Sequence, residues 1–204
     1  RAVAPPPLAT PPPQNSRQAA LEQLRTEVQN CTRCRLCEQR KNTVFGEGDI
    51  NTKILFIGEG PGTTEDEQGR PFVGPAGQLL DKMIAAIGLQ REQVYLLNTV
   101  KCHPPGNREP ELDEMEACRS FLDRQLASLQ PEVIVALGKT AAQGMLKREV
   151  HIVAERGEFQ EYRGTKLMLT HHPAYLLRNP EAKKDAWADL KKVAAAAGIS
   201  LPRA

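Results

Sequence analysis

Two groups of residues in this chain have the types and the spacing that chemistry needs. The first is Cys31, Cys34 and Cys37, a C-x2-C-x2-C run, with Cys102 and Cys118 further along. Thiolates two residues apart can ligate one ion or cluster, and two distant pairs often close a four-sulfur site. Zinc and a cubic iron-sulfur cluster both accept four thiolates, so the spacing leaves both open. A four-sulfur site leaves one cysteine over, and Cys37 is the one expected to be spare. The second group is the stretch 58–80, GEGPGTTEDEQGRPFVGPAGQLL, in which six residues are glycine. Glycine tolerates positive φ and lets a ligand approach the backbone, so this density after an apolar run predicts a loop moulded around something rather than a plain turn. Phe72 and the acids Glu65, Asp66 and Glu67 lie inside it.

Both groups need a scaffold, and the chain supplies one. Four apolar runs, 53–58 (KILFIG), 94–100 (VYLLNTV), 133–138 (VIVALG) and 166–170 (KLMLT), read as buried strands separated by helical patterns. Leu21, Leu24, Val28 and Cys31 line one helix face that begins near Ser16. Leu79, Leu80, Met83, Ile84 and Ile87 line a second, stopped by Gly88, and Leu112, Met115, Cys118, Leu122 and Leu126 a third. The segment 158–163 reads as a short antiparallel addition, and a last helix over 181–197 is expected to bury Trp187, Leu190, Val193 and Ala194. The alternation predicts an α/β fold: a three-layer sandwich with a central, mainly parallel four-stranded sheet flanked by helices, in a single domain. Ligands of such sheets sit beyond the carboxyl ends of the strands. All four runs end in chemically capable residues: GEGPG, then Asn98 with KCHPPGNR, then Gly138-Lys139-Thr140, then His171-His172. That convergence carries more weight than any one motif.

With 204 residues and a formal charge of +2, the chain has the size for one well-cored domain and no overall basic excess. Basic residues cluster in loops instead, among them Arg33, Arg35, Arg40, Lys41, Lys101, Arg108, Arg178, Lys183 and Lys184, which allows a local phosphate-facing surface. No apolar run approaches a membrane span and no hydrophobic signal core opens the chain, so no membrane partner is expected and the predicted location is the cytoplasm. Five cysteines without the spacing of a secreted disulfide framework agree with a reducing compartment. Residues 1–15, with APPP and TPPP, read as a disordered proline-rich tail, leaving 16–204 as the domain. The start at Arg1 rather than Met carries the expectation of a native beginning further upstream.

GEGPG, the acidic pair ED, GRPFVGPAG, LLNTVKC with PPGNR, and HHPAYLLRNP, in that order, resemble the family 4 uracil-DNA glycosylases, the bacterial and archaeal type that carries a [4Fe-4S] cluster. The likeness runs from about Cys31 to the last helix. It implies a [4Fe-4S] cluster held by Cys31, Cys34, Cys102 and Cys118. It also implies an enzyme that cleaves the N-glycosidic bond of uracil in DNA after the nucleotide is flipped from the helix.

By the same resemblance Phe72 stacks on the uracil ring and Asn98 reads its edge. The amide donates to O4 and accepts from N3–H, whereas cytosine presents the opposite pattern at both atoms. His172 donates to O2 as negative charge grows on the departing base. Glu59, Gly60 and Pro61 belong to the loop that cradles the base. Where a related family places a water-orienting aspartate, this chain has Gly60. Glu65 becomes the candidate for that role, against helix capping with Thr64 and Glu67 as the ordinary alternative. Tyr175, Leu176, Leu177 and Arg178 form the expected wedge loop entering the duplex, with a core position the alternative for the two leucines. Arg108, in a stiff proline-glycine loop, is the expected phosphate contact. His171 receives no role.

The sequence thus predicts a monofunctional DNA repair glycosylase, working as a monomer on uracil-containing DNA, single- or double-stranded, and leaving an abasic site. No lysine is poised as an amine nucleophile, so strand cleavage is not expected. Two other readings stay open. One is a non-catalytic iron-sulfur module that binds DNA or senses redox state; the other is a relative that traps the abasic sugar covalently, although the Arg- and His-rich insertion of that group is missing before HHPAYLL.

Overall fold

The four apolar runs have no polar face because they lie in the middle of a covered sheet, and each is buried from end to end or nearly so. The computed structural model describes residues 13–202. In chain order the elements are α1 (Gln14–Gln29), β1 (Glu47–Gly48), β2 (Ile54–Gly58), α2 (Thr63–Gln68), α3 (Pro75–Ala86), β3 (Tyr95–Asn98), α4 (Leu112–Leu129), β4 (Val133–Leu137), α5 (Gly138–Leu146), α6 (Ile152–Glu155), β5 (Phe159–Tyr162), β6 (Thr165–Thr170), α7 (Pro173–Arg178) and α8 (Lys183–Ala196). Residues 1–12, most of the expected tail, lie outside the described residues, and α1 begins two residues ahead of Ser16. Among the described residues no helix is long and apolar enough to cross a membrane.

The sheet runs β1-β3-β2-β4-β6-β5. The four inner strands are parallel, and the two outer ones pair antiparallel. The expected four-stranded sheet is therefore corrected to six. The 158–163 segment does form the antiparallel edge, whereas β1 is two residues long and too short for a hydrophobic period to mark it.

Side chains alternate across the strands and build two cores. Leu55, Ile57, Leu97, Ile134 and Leu167 point to one face, covered by Leu24 and Val28 of α1, Phe121, Leu122 and Leu126 of α4, and Ala141 and Met145 of α5. Ile54, Phe56, Leu96, Val135 and Met168 point to the other, covered by Leu80 and Ile84 of α3 and Leu190, Val193 and Ala194 of α8. Trp187 does not join them. It is 37% exposed, a correction to the expected burial, because the apolar stripe of α8 already faces the sheet without it.

From β2 the chain crosses to β3 on one side and later returns to β4 on the other. The loops leaving the carboxyl ends of β2 and β4 therefore diverge, and a crevice opens between them.

Candidate active site

Gly58 ends β2 directly opposite Asn98 at the end of β3. A Cβ built on Gly58 would overlap Asn98 Oδ1 and stand 2.5 Å from Phe72 Cζ. The missing side chain is what lets the amide and the ring meet over the strand end. Asn98 is 2% exposed and Phe72 6%.

Phe72 holds a φ of +52°, a region non-glycine residues avoid. Its surroundings over-determine this conformation. Arg91 donates to the carbonyls of Pro71 and Phe72, and is itself held by Glu47 and Asp81 at 2.8 and 2.9 Å. Glu65 Oε1 accepts from the amides of Val73 and Gly74, both at 2.8 Å. Gly77 of α3 leaves space for the Phe72 carbonyl. Strain held this firmly is typical of ligand clamps.

His172 arrives from β6 and caps α7. Its ring centroid is 6.4 Å from that of Phe72. Nδ1 accepts from the Ala174 amide at 3.0 Å, and an accepting nitrogen carries no proton, so the neutral ring bears its hydrogen on Nε2 as a donor. Burial, helped by Arg178 and opposed by Glu65, holds its pKa down to about 4, which leaves the imidazole neutral at neutral pH. Gly138, at φ +86°, makes room beneath it: a Cβ there would stand 2.9 Å from His172 Cβ.

Beside these residues, in the crevice between β2 and β4, lies a cavity of about 490 Å³ whose lining includes Glu59, Lys139, Thr140, His171, His172 and Arg178. Phe72 and Asn98 do not line it; they sit covered behind Gly58. The Glu59 carboxyl faces the cavity, its pKa raised by burial and by Glu109, while a hydrogen bond with Thr140 and the charge of Arg178 act the other way. Gly60 and Pro61 line a pocket of about 50 Å³ with Pro104, Asn107 and Arg108.

The cysteines gather on the opposite side of Asn98. Cys102 and Cys118 are buried among the core of α1 and α4, with Cys31 and Cys34 packed against that core. Cys118 feels the charges of Cys34 and Cys31, and Cys102 those of Cys118 and Cys34. Arg40 Nη1 donates to Cys102 Sγ at 3.1 Å. All five thiols are free of disulfides. Among the described residues no three His, Cys, Asp or Glu side chains lie close enough together to hold a single metal ion. Burial pushes the Cys102 thiol up to about 11 and raises Cys118 and Cys34 as well.

The family model of the Uracil DNA glycosylase superfamily matches residues 45–191, a span that takes in Phe72, Asn98 and His172. The chain belongs to the uracil-DNA glycosylase superfamily. It is 46% identical to the type-4 uracil-DNA glycosylase of Thermotoga maritima over 166 residues, 80% of this chain and 86% of that protein. With the type-4 enzyme of Sulfurisphaera tokodaii it shares 41% over 183 residues, 85% of this chain and 83% of the other. With that of Archaeoglobus fulgidus it shares 38% over 191, or 90% and 96%.

Seen as a superfamily member, the chain brings some expected site residues together and turns others away. Glu65 spends Oε1 on the loop that carries Phe72. The capping box expected of Thr64 and Glu67 does not form, since α2 starts at Thr63 and Gly62 caps it without a side chain, and Glu65 stands in the first turn of the helix. Arg108 is committed to the buried Glu114 at 2.6 and 2.8 Å. That pairing holds Glu114 down to about 2 and occupies the guanidinium expected to meet a phosphate. The wedge is not a loop but the short helix α7, opened by Pro173. Its periodicity separates the residues: Tyr175 and Leu177 are 38% and 45% exposed, while Leu176 is 1% exposed against Ala182 and Ala186. Leu176 therefore offers no surface to DNA. The Glu47–Arg91 brace behind Phe72 and the Thr140 bond to Glu59 went unread in the sequence, where only the phrase Gly138-Lys139-Thr140 at a strand end hinted at the second.

Proposed function

We propose that this protein is a monofunctional DNA repair glycosylase that hydrolyses the N-glycosidic bond of uracil in DNA and leaves an abasic site. The observation that carries the reading is the meeting of Phe72, from the loop before α3, with Asn98 and His172, from the ends of β3 and β6, around Gly58 and Gly138.

In this reading the uracil enters beside Phe72, which takes its face. The amide of Asn98 donates to O4 and accepts from N3–H, so cytosine would leave both buried partners unmatched. The Nε2–H of His172 points its hydrogen bond at O2. As the C1′–N1 bond breaks, its electron pair moves onto the base, and this fixed donor meets the charge there without a proton having to transfer. Water adds to C1′, and its proton passes first to a carboxylate and then to solvent or the base. We assign the water-orienting carboxylate to Glu59, which faces the cavity, rather than Glu65, whose Oε1 is engaged by two amides. Tyr175 and Leu177 are the side chains that hold open the gap in the duplex.

Cys31, Cys34, Cys102 and Cys118 would hold the [4Fe-4S] cluster. Their thiols come from the end of α1, the following turn, the loop after β3 and α4. Arg40 beside Cys102 and the buried Lys101 suit the anionic charge of four thiolates. When bound, the cluster staples these segments and supplies no step in the reaction.

The reading takes the protein as a monomer, and five cysteines without a disulfide suit the reducing cytoplasm. The domain is taken as 16–204, behind the proline-rich stretch 1–15. Alkali treatment of a uracil-containing oligonucleotide after incubation with the protein tests the reading: strand breaks at uracil support it, and an intact strand contradicts it.

A further inference from the structure

Among the described residues, most surface cations are neutralised by an acid. Arg124 pairs with Glu27, Arg70 with Glu47, Lys41 with Glu67, Arg148 with Glu155 and Lys192 with Glu158. One tract is different. Arg178 and Lys139 line the cavity without an ion pair, and beyond Arg178 the exposed Lys183, Lys184 and Lys191 of α8 also lack one among the described residues. Of the acids on that stretch, Glu181 and Asp185 pair with none of them, and Asp189 is buried against Arg156 and Thr170. Elsewhere among the described residues Arg17, Arg33, Arg40, Lys82 and Lys166 also lack an acid partner, but Arg17, Arg33 and Arg40 are engaged by Asn51, Ser120 and Cys102, and all five stand apart from the cavity rim in sequence and element.

The tract has a direction. The α8 helix starts next to α7, at the rim of the cavity, and runs across the sheet to the amino end of the inner strand β2, where the Ala197 carbonyl accepts from Lys53. From Lys183 to Lys191 it covers about 12 Å at 1.5 Å per residue. That is roughly three to four steps of a DNA strand at about 3.4 Å per charge. Trp187 lies between these lysines, 37% exposed, with Lys191 Nζ 5.8 Å from its ring centre. An aromatic face flanked by unneutralised lysines is the composition of a backbone-tracking nucleic-acid surface.

We propose that α8 from Lys183 to Lys191 is a second DNA contact, in which Lys183, Lys184 and Lys191 take successive backbone phosphates of one strand and Trp187 lies against it. The contact is continuous with Tyr175, Leu177 and Arg178 of α7, so it extends the grip away from the cavity along one strand. The inference rests on the glycosylase reading, which supplies the DNA.

Binding of a uracil-free duplex, followed by anisotropy of labelled DNA across a salt series, tests it. Each phosphate contact contributes about 0.9 to the slope of log affinity against log salt. The triple variant Lys183→Gln, Lys184→Gln, Lys191→Gln is expected to bind more weakly and to lower that slope by about 2 to 3, with an unchanged melting temperature. An unchanged slope overturns the proposal. A second measurement needs no variant: Trp187 is the sole tryptophan, and its emission is expected to shift with the same midpoint as the anisotropy. Emission indifferent to saturating DNA overturns the proposal equally. Failure of the glycosylase reading shows separately, as an intact uracil strand after alkali, because the binding series contains no uracil.

Discussion

Lys101 Nζ donates to the backbone carbonyl of Asn98 at 2.6 Å, inside the core. The lysine is 1% exposed and precedes Cys102. Burial brings its pKa down to about 8, and the neighbouring Cys118 and Cys102 act against that shift. One side chain thus joins the thiol site to the residue proposed to read the base. Damage at the cysteines is therefore expected to reach Asn98 through this hydrogen bond.

Lys101→Met keeps the aliphatic stem and removes the donor. A buried carbonyl left unpaired costs about 1–3 kcal/mol. For a chain of this size that lowers the melting temperature by about 2–4 °C per kcal/mol. Uracil excision is expected to fall along with the melting temperature, because Asn98 loses its tether. Calorimetry and single-turnover kinetics check both; a variant unchanged in each would break the link.

Glu59 and His172 divide the acid side of the pH profile. Glu59 has a raised pKa, so its carboxylate is lost at a higher pH than an ordinary glutamate as the solution is acidified. His172 is held to about 4 and stays a neutral donor through that range. The rate is therefore expected to decline with Glu59 protonation and to show no inflection near 6.5, the ordinary histidine value. Glu59→Gln should slow excision by about 10²-fold or more and abolish the limb. An inflection near 6.5 that survives in this variant would identify a titrating imidazole instead.

Glu65 separates two roles by chemistry. If it orders the Phe72 loop, Glu65→Gln keeps an acceptor for Val73 and Gly74 and costs little, while Glu65→Ala frees the loop and raises KM. Comparable collapse of kcat in both variants would instead make it the reacting carboxylate.

Legibility in the sequence follows the range of each interaction. Phe72, Asn98 and His172 stand in or after the apolar runs or in a glycine-dense loop, features that announce themselves within a few residues. The brace of Arg91 on Glu47 joins positions 44 residues apart, and no local pattern marks it. Short elements fail for a related reason: six residues of α7 give too few turns for a period, so Leu176 and Leu177 look alike in sequence and face opposite ways in the fold. Trp187 reads as core because an aromatic in a helical pattern is usually buried, whereas its position on α8, not the residue type, decides. Arg108 reads as a phosphate contact because no local pattern marks its pairing with Glu114 in the next helix.

Serine substitution at each cysteine tests the ligand set. Cys31→Ser, Cys34→Ser, Cys102→Ser and Cys118→Ser are expected to lose the visible iron-sulfur absorbance and to melt at lower temperature; Cys37→Ser should keep both. Loss of colour in the Cys37 variant with retention in one of the other four would reassign the site.

The central claim is that an extruded uracil is read by Asn98 and cleaved within reach of His172. A duplex carrying one uracil is incubated in single-turnover conditions with wild-type protein and with Asn98→Ala, treated with alkali, and scored for strand breaks beside an independent measurement of affinity. The account predicts breaks at uracil alone with the wild type, and a loss of about 10²-fold or more in rate for the variant with its affinity for DNA nearly intact. An unbroken wild-type strand, or rate and affinity falling together in the variant, would contradict it.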